Sequence, residues 1–247
     1  MKKNKKSTLY VVMPAYNEED NIESVVNMWY PVLKYGSEKS RLVIADSGSE
    51  DKTHEILLKL QKDKPQLEIV SDSLKQHGPK LIYLYKYAIN KGADYIFQTD
   101  SDGQTNPDEF KDFWAAKNKY TVVLGQRTAR GDGKQRAFVE KVVCFLLRIY
   151  FGVKVPDANA PFRLMKANVV DKYIDNFEED YALPNIILTM YFAYHKDKLT
   201  FKEISFKPRQ GGVNSIDIRK IFKIGWKSLS DFRKFKKGLK HDKKNNK

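Results

Sequence analysis

An α/β chain with a mainly parallel central sheet and helices on both faces is predicted by three observations. Short β-branched apolar runs recur along the sequence, helical patterns lie between them, and polar turns follow several of the runs at their carboxyl ends. The runs are LYVVM (9 to 13), RLVIA (41 to 45), LEIV (67 to 70), YIFQ (95 to 98) and TVVLG (121 to 125). The first two and the last are nearly continuous in apolar character, as strands covered on both faces require. Helices are expected at about 18 to 35, 51 to 63, 79 to 91 and 107 to 117, three of them with acidic first turns (EED, ED, PDE) that complement a helix N-terminus. The βαβ alternation is unbroken by an internal repeat or a long linker. One large domain is therefore expected over residues 1 to 213, with 214 to 247 as an appended helical tail.

With 247 residues, 41% of them hydrophobic, the chain can bury a sizeable core. A lone cysteine, Cys144, excludes an internal disulfide framework and fits a reducing, cytoplasmic setting. The longest apolar stretches, 142 to 150 and 182 to 194, fall short of the roughly 20 residues that span a bilayer. No signal-peptide pattern follows the basic start.

A formal charge of +14 invites a nucleic-acid reading, but its distribution argues against one. Residues 1 to 6 hold four lysines, and residues 214 to 247 hold twelve Lys or Arg against three Asp. The two ends thus supply 13 of the 14 positive charges, which leaves residues 7 to 213 near neutrality. The aromatic residues, moreover, mostly fall at core-like positions rather than beside the cations. A basic-tailed nucleic-acid-binding protein remains the alternative from a different class.

Three runs end in polar turns: PAYNEED after the first, DSGSEDKT after the second and TDSDGQ after the fourth. In an open α/β sheet such turns converge on one crevice outside the carboxyl ends of the strands. A nucleotide fits a crevice of this kind, yet the GxGxxG and GxxxxGK[ST] loops are absent. A divalent cation offers another way to hold phosphate. Asp100 and Asp102 are spaced to turn their carboxylates to one side of an extended segment, and Gln104 adds an oxygen at the next like position. Hard oxygen ligands of this sort suit Mg²⁺ or Mn²⁺ shared with substrate phosphates.

PAYNEE, ADSGS, QTDSDGQ, LGQRTARGDGKQR, DANAPFRLM and FKPRQGGVNSI, in this order, resemble the motifs of family 2 glycosyltransferases of the GT-A fold, in the dolichyl-phosphate mannose synthase-like branch. The resemblance covers roughly residues 8 to 216. It implies a metal on Asp100, Asp102 and Gln104, and nucleotide contacts from Pro14, Tyr16, Glu18, Asp46 and Asp100. Two departures stand out: Ser47 replaces the usual second aspartate, and Pro161 replaces a glycine usual in enzymes that use dolichyl phosphate. The implied activity is inverting transfer of a sugar from a nucleotide-sugar donor to a glycan or polyprenyl-phosphate acceptor, in bacterial surface polysaccharide or glycolipid synthesis. A nucleotidyltransferase of related α/β design is the competing enzyme reading.

Such chemistry needs cations where a diphosphate departs. Arg127, Arg136 and Arg163 are the expected phosphate contacts, because a guanidinium fork matches phosphate oxygens. Arg209 with the following glycines would close a loop over the site. Asp157 is the expected base for an acceptor hydroxyl, with Glu179 and Asp180 as competitors, and Asp102 the expected partner of the catalytic cation. An acceptor phosphate would need no base, which would leave Asp157 an orienting role. The four histidines are scattered without metal-ligand spacing and are expected in core or surface roles. In the tail, Ile218, Phe222, Gly225, Leu229, Phe232, Phe235 and Leu239 step by three and four, opposite lysines and arginines. That helix either lies on an anionic membrane surface or packs on the domain, and the chain beyond Phe232 is expected to fray.

Overall fold

The computed structural model describes residues 6 to 130, 134 to 208, 230 to 236 and 239. Its strands are β1 (Leu9–Ala15), β2 (Arg41–Asp46), β3 (Leu67–Val70), β4 (Tyr95–Thr99), β5 (Val122–Arg130), β6 (Phe162–Lys166) and β7 (Leu199–Phe206). They form one sheet in the order β3-β2-β1-β4-β6-β5-β7. Pairing is parallel among β3, β2, β1 and β4 and again between β5 and β7, whereas β6 runs antiparallel to both β4 and β5. Six strands therefore point their carboxyl ends the same way, and the loop that enters β6 arrives at that same edge.

The helices are α1 (Ile22–Trp29), α2 (Thr53–Asp63), α3 (His77–Asn90), α4 (Phe110–Ala116), α5 (Lys134–Phe151), α6 (Ala167–Ile174) and α7 (Pro184–Tyr194). The expected helix at 18 to 35 is shorter in its α portion and finishes as a 3₁₀ segment, Tyr30–Tyr35, with Pro31 at its start. The 107 to 117 helix likewise begins as a 3₁₀ turn, Pro107–Glu109, where Asp108 N–H donates to Asn106 Oδ1. Proline fits the first turn of a helix because no partner is needed there for its missing N–H.

Alternation along β1 shows why both faces must be covered. Tyr10 and Val12 enter a core with residues of α3, α5, α6 and α7, while Leu9, Val11 and Met13 enter another with α1, α2 and α4. In the second core Phe97 packs on Trp29 and Phe162, with ring centroids 5.2 and 4.7 Å apart. Aromatic stacking at these separations adds to the area buried.

Most of the tail expected as a helix over 214 to 247 lies outside the described residues, but 230 to 236 are helical. Phe232 is buried with its ring centroid 5.6 Å from that of Phe151, and Phe235 meets Tyr181 at 5.5 Å. Of the stretch expected to fray, residues 233 to 236 are helical and Leu239 is buried, and the remainder lies outside the described residues. Phe235 and Leu239 find apolar partners that charge composition alone conceals. No described helix is long and apolar enough to cross a membrane.

Candidate active site

Three turns leave β1, β2 and β4 at the shared edge. Ser101 Oγ donates to Pro14 O at 2.8 Å and so fastens the aspartate turn to the first turn. Asn17 adopts φ 52°, which its short polar side chain tolerates, and its N–H donates to Ser49 Oγ at 3.1 Å. Glu50 N–H donates back to Asn17 Oδ1 at 2.8 Å. Backbone-to-side-chain bonds thus tie the first and second turns together.

Glu18 is buried among these ties rather than turned outward: its N–H donates to Thr53 Oγ1, and its Oε2 accepts from Asn21 Nδ2. Asp46 is also buried, accepting from Ser49 Oγ and pairing with His54 Nδ1 at 3.0 Å. Ser47, which stands where the resembled motif carries a second aspartate, donates to Ser71 O and shares a bond with Ser73 Oγ. Tyr16 lies between two ammonium groups, with Lys75 Nζ 4.8 Å and Lys80 Nζ 5.4 Å from its ring centroid.

Lys80 was not expected in the site. It stands in the first turn of α3, where a cation opposes the helix dipole, and its buried Nζ donates to Ala15 O. Burial pushes its pKa down to about 8, with Asp46 opposing the shift and Lys75 adding to it. A lysine in the first turn of an expected helix, set against the dipole, is the signal the sequence offered.

The carboxylate of Asp100 is oriented from behind. Tyr85 OH donates to Asn185 Oδ1, Asn185 Nδ2 to Gln98 Oε1, and Gln98 Nε2 to Asp100 Oδ1, at 2.7, 3.0 and 3.1 Å. His77 Nε2 also approaches Asp100 Oδ1, at 3.3 Å. Loss of water around the imidazole works against its charge, but Asp100 and Asp102 more than offset this and raise its pKa. His77 and His54 are both part-exposed, in keeping with the surface role expected of them, yet each pairs with a predicted site aspartate, 23 and 8 residues away in sequence respectively.

Asp102 Oδ1 accepts from the backbone N–H of Gln104, and Gln104 is buried with Nε2 donating to Lys207 O at 2.7 Å. Gln104 fastens the turn to the end of β7 through Nε2, a bond that does not involve Oε1, the atom of the expected third ligand. Among the described residues, no group of three or more His, Cys, Asp or Glu is assembled for a metal. The donor set still fits a hard cation that takes its remaining ligands from phosphate and water, because the half-buried Asp100 carboxylate is aligned through Oδ1 and its Oδ2 makes no hydrogen bond to a described residue.

The other half of the edge is built by β5, α5 and the loop entering β6. Asp157 is buried and binds Arg127 through both oxygens, Oδ2 to Nε at 2.8 Å and Oδ1 to Nη2 at 2.9 Å. Arg127 Nη2 also donates to Glu140 Oε2 at 3.3 Å, and Glu140 Oε1 accepts from Ala158 N–H at 2.7 Å. Burial raises the Asp157 pKa, but hydrogen bonding and charge from Arg127 overcome it and the net shift is downward. Burial and Glu140 push the neighbouring Cys144 thiol up to about 12, so it stays neutral.

Arg163 is engaged away from its expected phosphate role. It is buried, and its guanidinium donates to Ala158 O, Asn185 O and Thr189 Oγ1, which binds the β6 entry loop to α7. A fork spent on these oxygens is a strut, not an open phosphate contact. Arg136 lies partly exposed in the first turn of α5, while Arg209 falls outside the described residues. Glu179 and Asp180 are exposed beyond α6.

A mainly parallel sheet with its polar turns, cations and paired aspartates gathered at one edge has the GT-A architecture. The family model described as glycosyl transferase family 2 matches residues 10–174, and the chain belongs to that family. It is a glycosyltransferase. Among its relatives, an uncharacterized glycosyltransferase of Synechocystis sp. is 28% identical over 91% of this chain and 69% of its own. An undecaprenyl-phosphate 4-deoxy-4-formamido-L-arabinose transferase of Photorhabdus laumondii is 23% identical over 89% of this chain and 66% of its own. The chain thus spans about two thirds of the length of these relatives. The fold is shared with glucosyl-3-phosphoglycerate synthase of Mycobacterium tuberculosis, solved with Mn²⁺, uridine diphosphate and phosphoglyceric acid. There the TM-score is 0.67 at 17% identity, over 92% of this chain and 78% of the other.

Proposed function

We propose that this glycosyltransferase moves a sugar, with inversion and with help from a divalent cation, from a nucleotide-sugar donor to the phosphate of a lipid-linked acceptor at the cytoplasmic face of a membrane. The observation that carries the reading is the junction of the first and fourth turns through Ser101 and Pro14, with Lys80 beneath it and Asp100 aligned beside it. A donor lying across this junction would meet Tyr16 at its base and the N-terminus of α3 with Lys80 at its diphosphate. Asp100 and Asp102 would hold Mg²⁺ or Mn²⁺. Bound there, the cation supplies Lewis-acid neutralisation of the charge that grows on the departing diphosphate.

On the acceptor side, Arg136 is the phosphate contact in this reading, Arg127 is engaged in holding Asp157, and Arg209, outside the described residues, is the other expected cation. An acceptor phosphate arrives already ionised, so no proton need be removed by a protein base. The Arg127 grip favours an orienting role for Asp157, because a carboxylate held ionised by a two-point ion pair is a weak base. Relatives named as undecaprenyl-phosphate transferases support a polyprenyl-phosphate acceptor, and the Mn²⁺-bound neighbour supports the cation. Assembly of a surface glycan or glycolipid is the corresponding pathway.

Incubation with a panel of sugar nucleotides, Mn²⁺ or Mg²⁺ and a short-chain polyprenyl phosphate tests the proposal. Release of nucleoside diphosphate together with a glycosylated lipid phosphate is expected. Release of pyrophosphate would mark a nucleotidyltransferase, and equal turnover with chelator present would remove the cation from the scheme.

A further inference from the structure

The strongest feature left unused lies on α5. Among the described residues, seven large apolar side chains are exposed, and four of them, Phe138, Val142, Phe145 and Ile149, stand on this one helix. Their exposures are 66, 39, 60 and 58%. Spacings of four, three and four residues put them on a single stripe about 16 Å long at 1.5 Å per residue. Scattered apolar residues are ordinary on a surface, whereas a continuous stripe marks a contact.

Charge identifies the contact. Lys141 and Arg148, both exposed and seven residues apart, run along one flank of the stripe. The sole carboxylate on α5 is Glu140, which points the other way to accept from Arg127 and Ala158. Beside the C-terminal end of the helix, segment 230 to 236 adds the exposed Arg233, and Lys236 Nζ lies 5.9 Å from the Tyr150 ring centroid, while the exposed Lys234 is paired with Glu178. An apolar ridge bordered by cations, on a helix with no outward acid of its own, matches the boundary between acyl chains and anionic headgroups.

We infer that the exposed face of α5 docks the protein on a lipid bilayer rich in anionic headgroups. The inference rests on the proposed lipid-linked acceptor and names the surface that brings the site to it. Glu140 and Phe138 belong to the same turn of α5, so the helix that lies on the lipid also carries the Arg127–Asp157 cluster on its inner side.

Sedimentation of the full chain with vesicles of equimolar phosphatidylglycerol and phosphatidylcholine tests it, with pure phosphatidylcholine as reference. Wild type is expected to bind the mixed vesicles, and Phe145→Ser with Ile149→Ser to lower the partition coefficient about tenfold or more. Lys141→Gln with Arg148→Gln should weaken binding to the mixed vesicles several-fold and leave binding to pure phosphatidylcholine unchanged. Thermal melts should show both variants folded, since the substituted side chains are exposed. Absence of wild-type binding, or binding unaltered by Phe145→Ser with Ile149→Ser, overturns the inference. So does a wild-type dimer in analytical ultracentrifugation that the apolar double variant turns into monomer, because the stripe would then be a self-contact. Transfer to a detergent-dispersed polyprenyl phosphate separates the two claims: its absence in wild type refutes the acceptor reading, while α5-dependent vesicle binding still supports the docking face.

Discussion

Asp157 holds Arg127 by both carboxylate oxygens, at 2.8 Å from Nε and 2.9 Å from Nη2, in a place where both side chains are buried. Removing one partner leaves the other behind as a desolvated charge. Asp157→Asn is expected to destabilise the fold by about 3 kcal/mol, within the range for a broken buried pair. Urea denaturation measures this. An unchanged midpoint with abolished transfer would instead make Asp157 the base.

The same pair sets an acid dependence. Because the Asp157 pKa is lowered on folding, its contribution is present above the ordinary carboxylate value of about 3.9 and lost as pH falls through the lower folded value. Thermal midpoints of wild type should therefore fall more steeply below about pH 4 than those of Asp157→Asn. Parallel curves would refute the assignment.

Lys80 predicts an alkaline limit on donor binding. With its pKa pushed down to about 8, it loses its proton as pH rises through that value, and a diphosphate loses a cationic partner. Nucleoside diphosphate affinity measured by calorimetry should decline between about pH 7 and 9 in wild type and change less in Lys80→Met, which should bind about tenfold more weakly at pH 7. The stability term has the opposite sense. An unfolded lysine keeps its proton up to about 10.4, so stability from this group rises with pH across the window between the folded and unfolded values.

Asp100→Asn and Asp102→Ala should each weaken Mn²⁺ binding in the presence of nucleoside diphosphate by about tenfold or more, read by electron paramagnetic resonance of free Mn²⁺. Circular dichroism should remain that of wild type. Undiminished binding in both variants would place the cation elsewhere.

Gly78 offers a purely steric test. A Cβ there would come within 2.4 Å of the carbonyl oxygens of Tyr181 and Ala182, which are backbone atoms and cannot swing aside. Gly78→Ala should cost about 2 kcal/mol or more and displace His77 and Lys80 with the start of α3. A wild-type melting temperature would count against this packing.

The donor half of the edge was the more legible in the sequence. Strands at 9 to 13, 41 to 45, 67 to 70 and 95 to 98 stood out by apolar run and the turns after them by polar composition, because both signals are local. β6 was passed over: its five residues include Arg163, whose charge hid a buried position until Thr189 and two carbonyls on other segments were brought to meet it. His77 and Asn185 were invisible as site residues for the same reason, since each acquires its partner only through sheet order. The turn residues Glu18 and Gln104 were recognised by motif, but only packing reveals that both also hold loops together.

One antiparallel strand in an otherwise parallel sheet separates the chain into two territories. Everything from Leu9 to Gln104 reaches the edge by leaving a strand, whereas Asp157 and Ala158 reach it on the way into one. The stretch between β5 and β6 hangs from the sheet at both ends and carries its own helix. Length and composition can drift there while the nucleotide shelf keeps its register. A lineage can thus change the molecule it serves without rebuilding the reagent it spends.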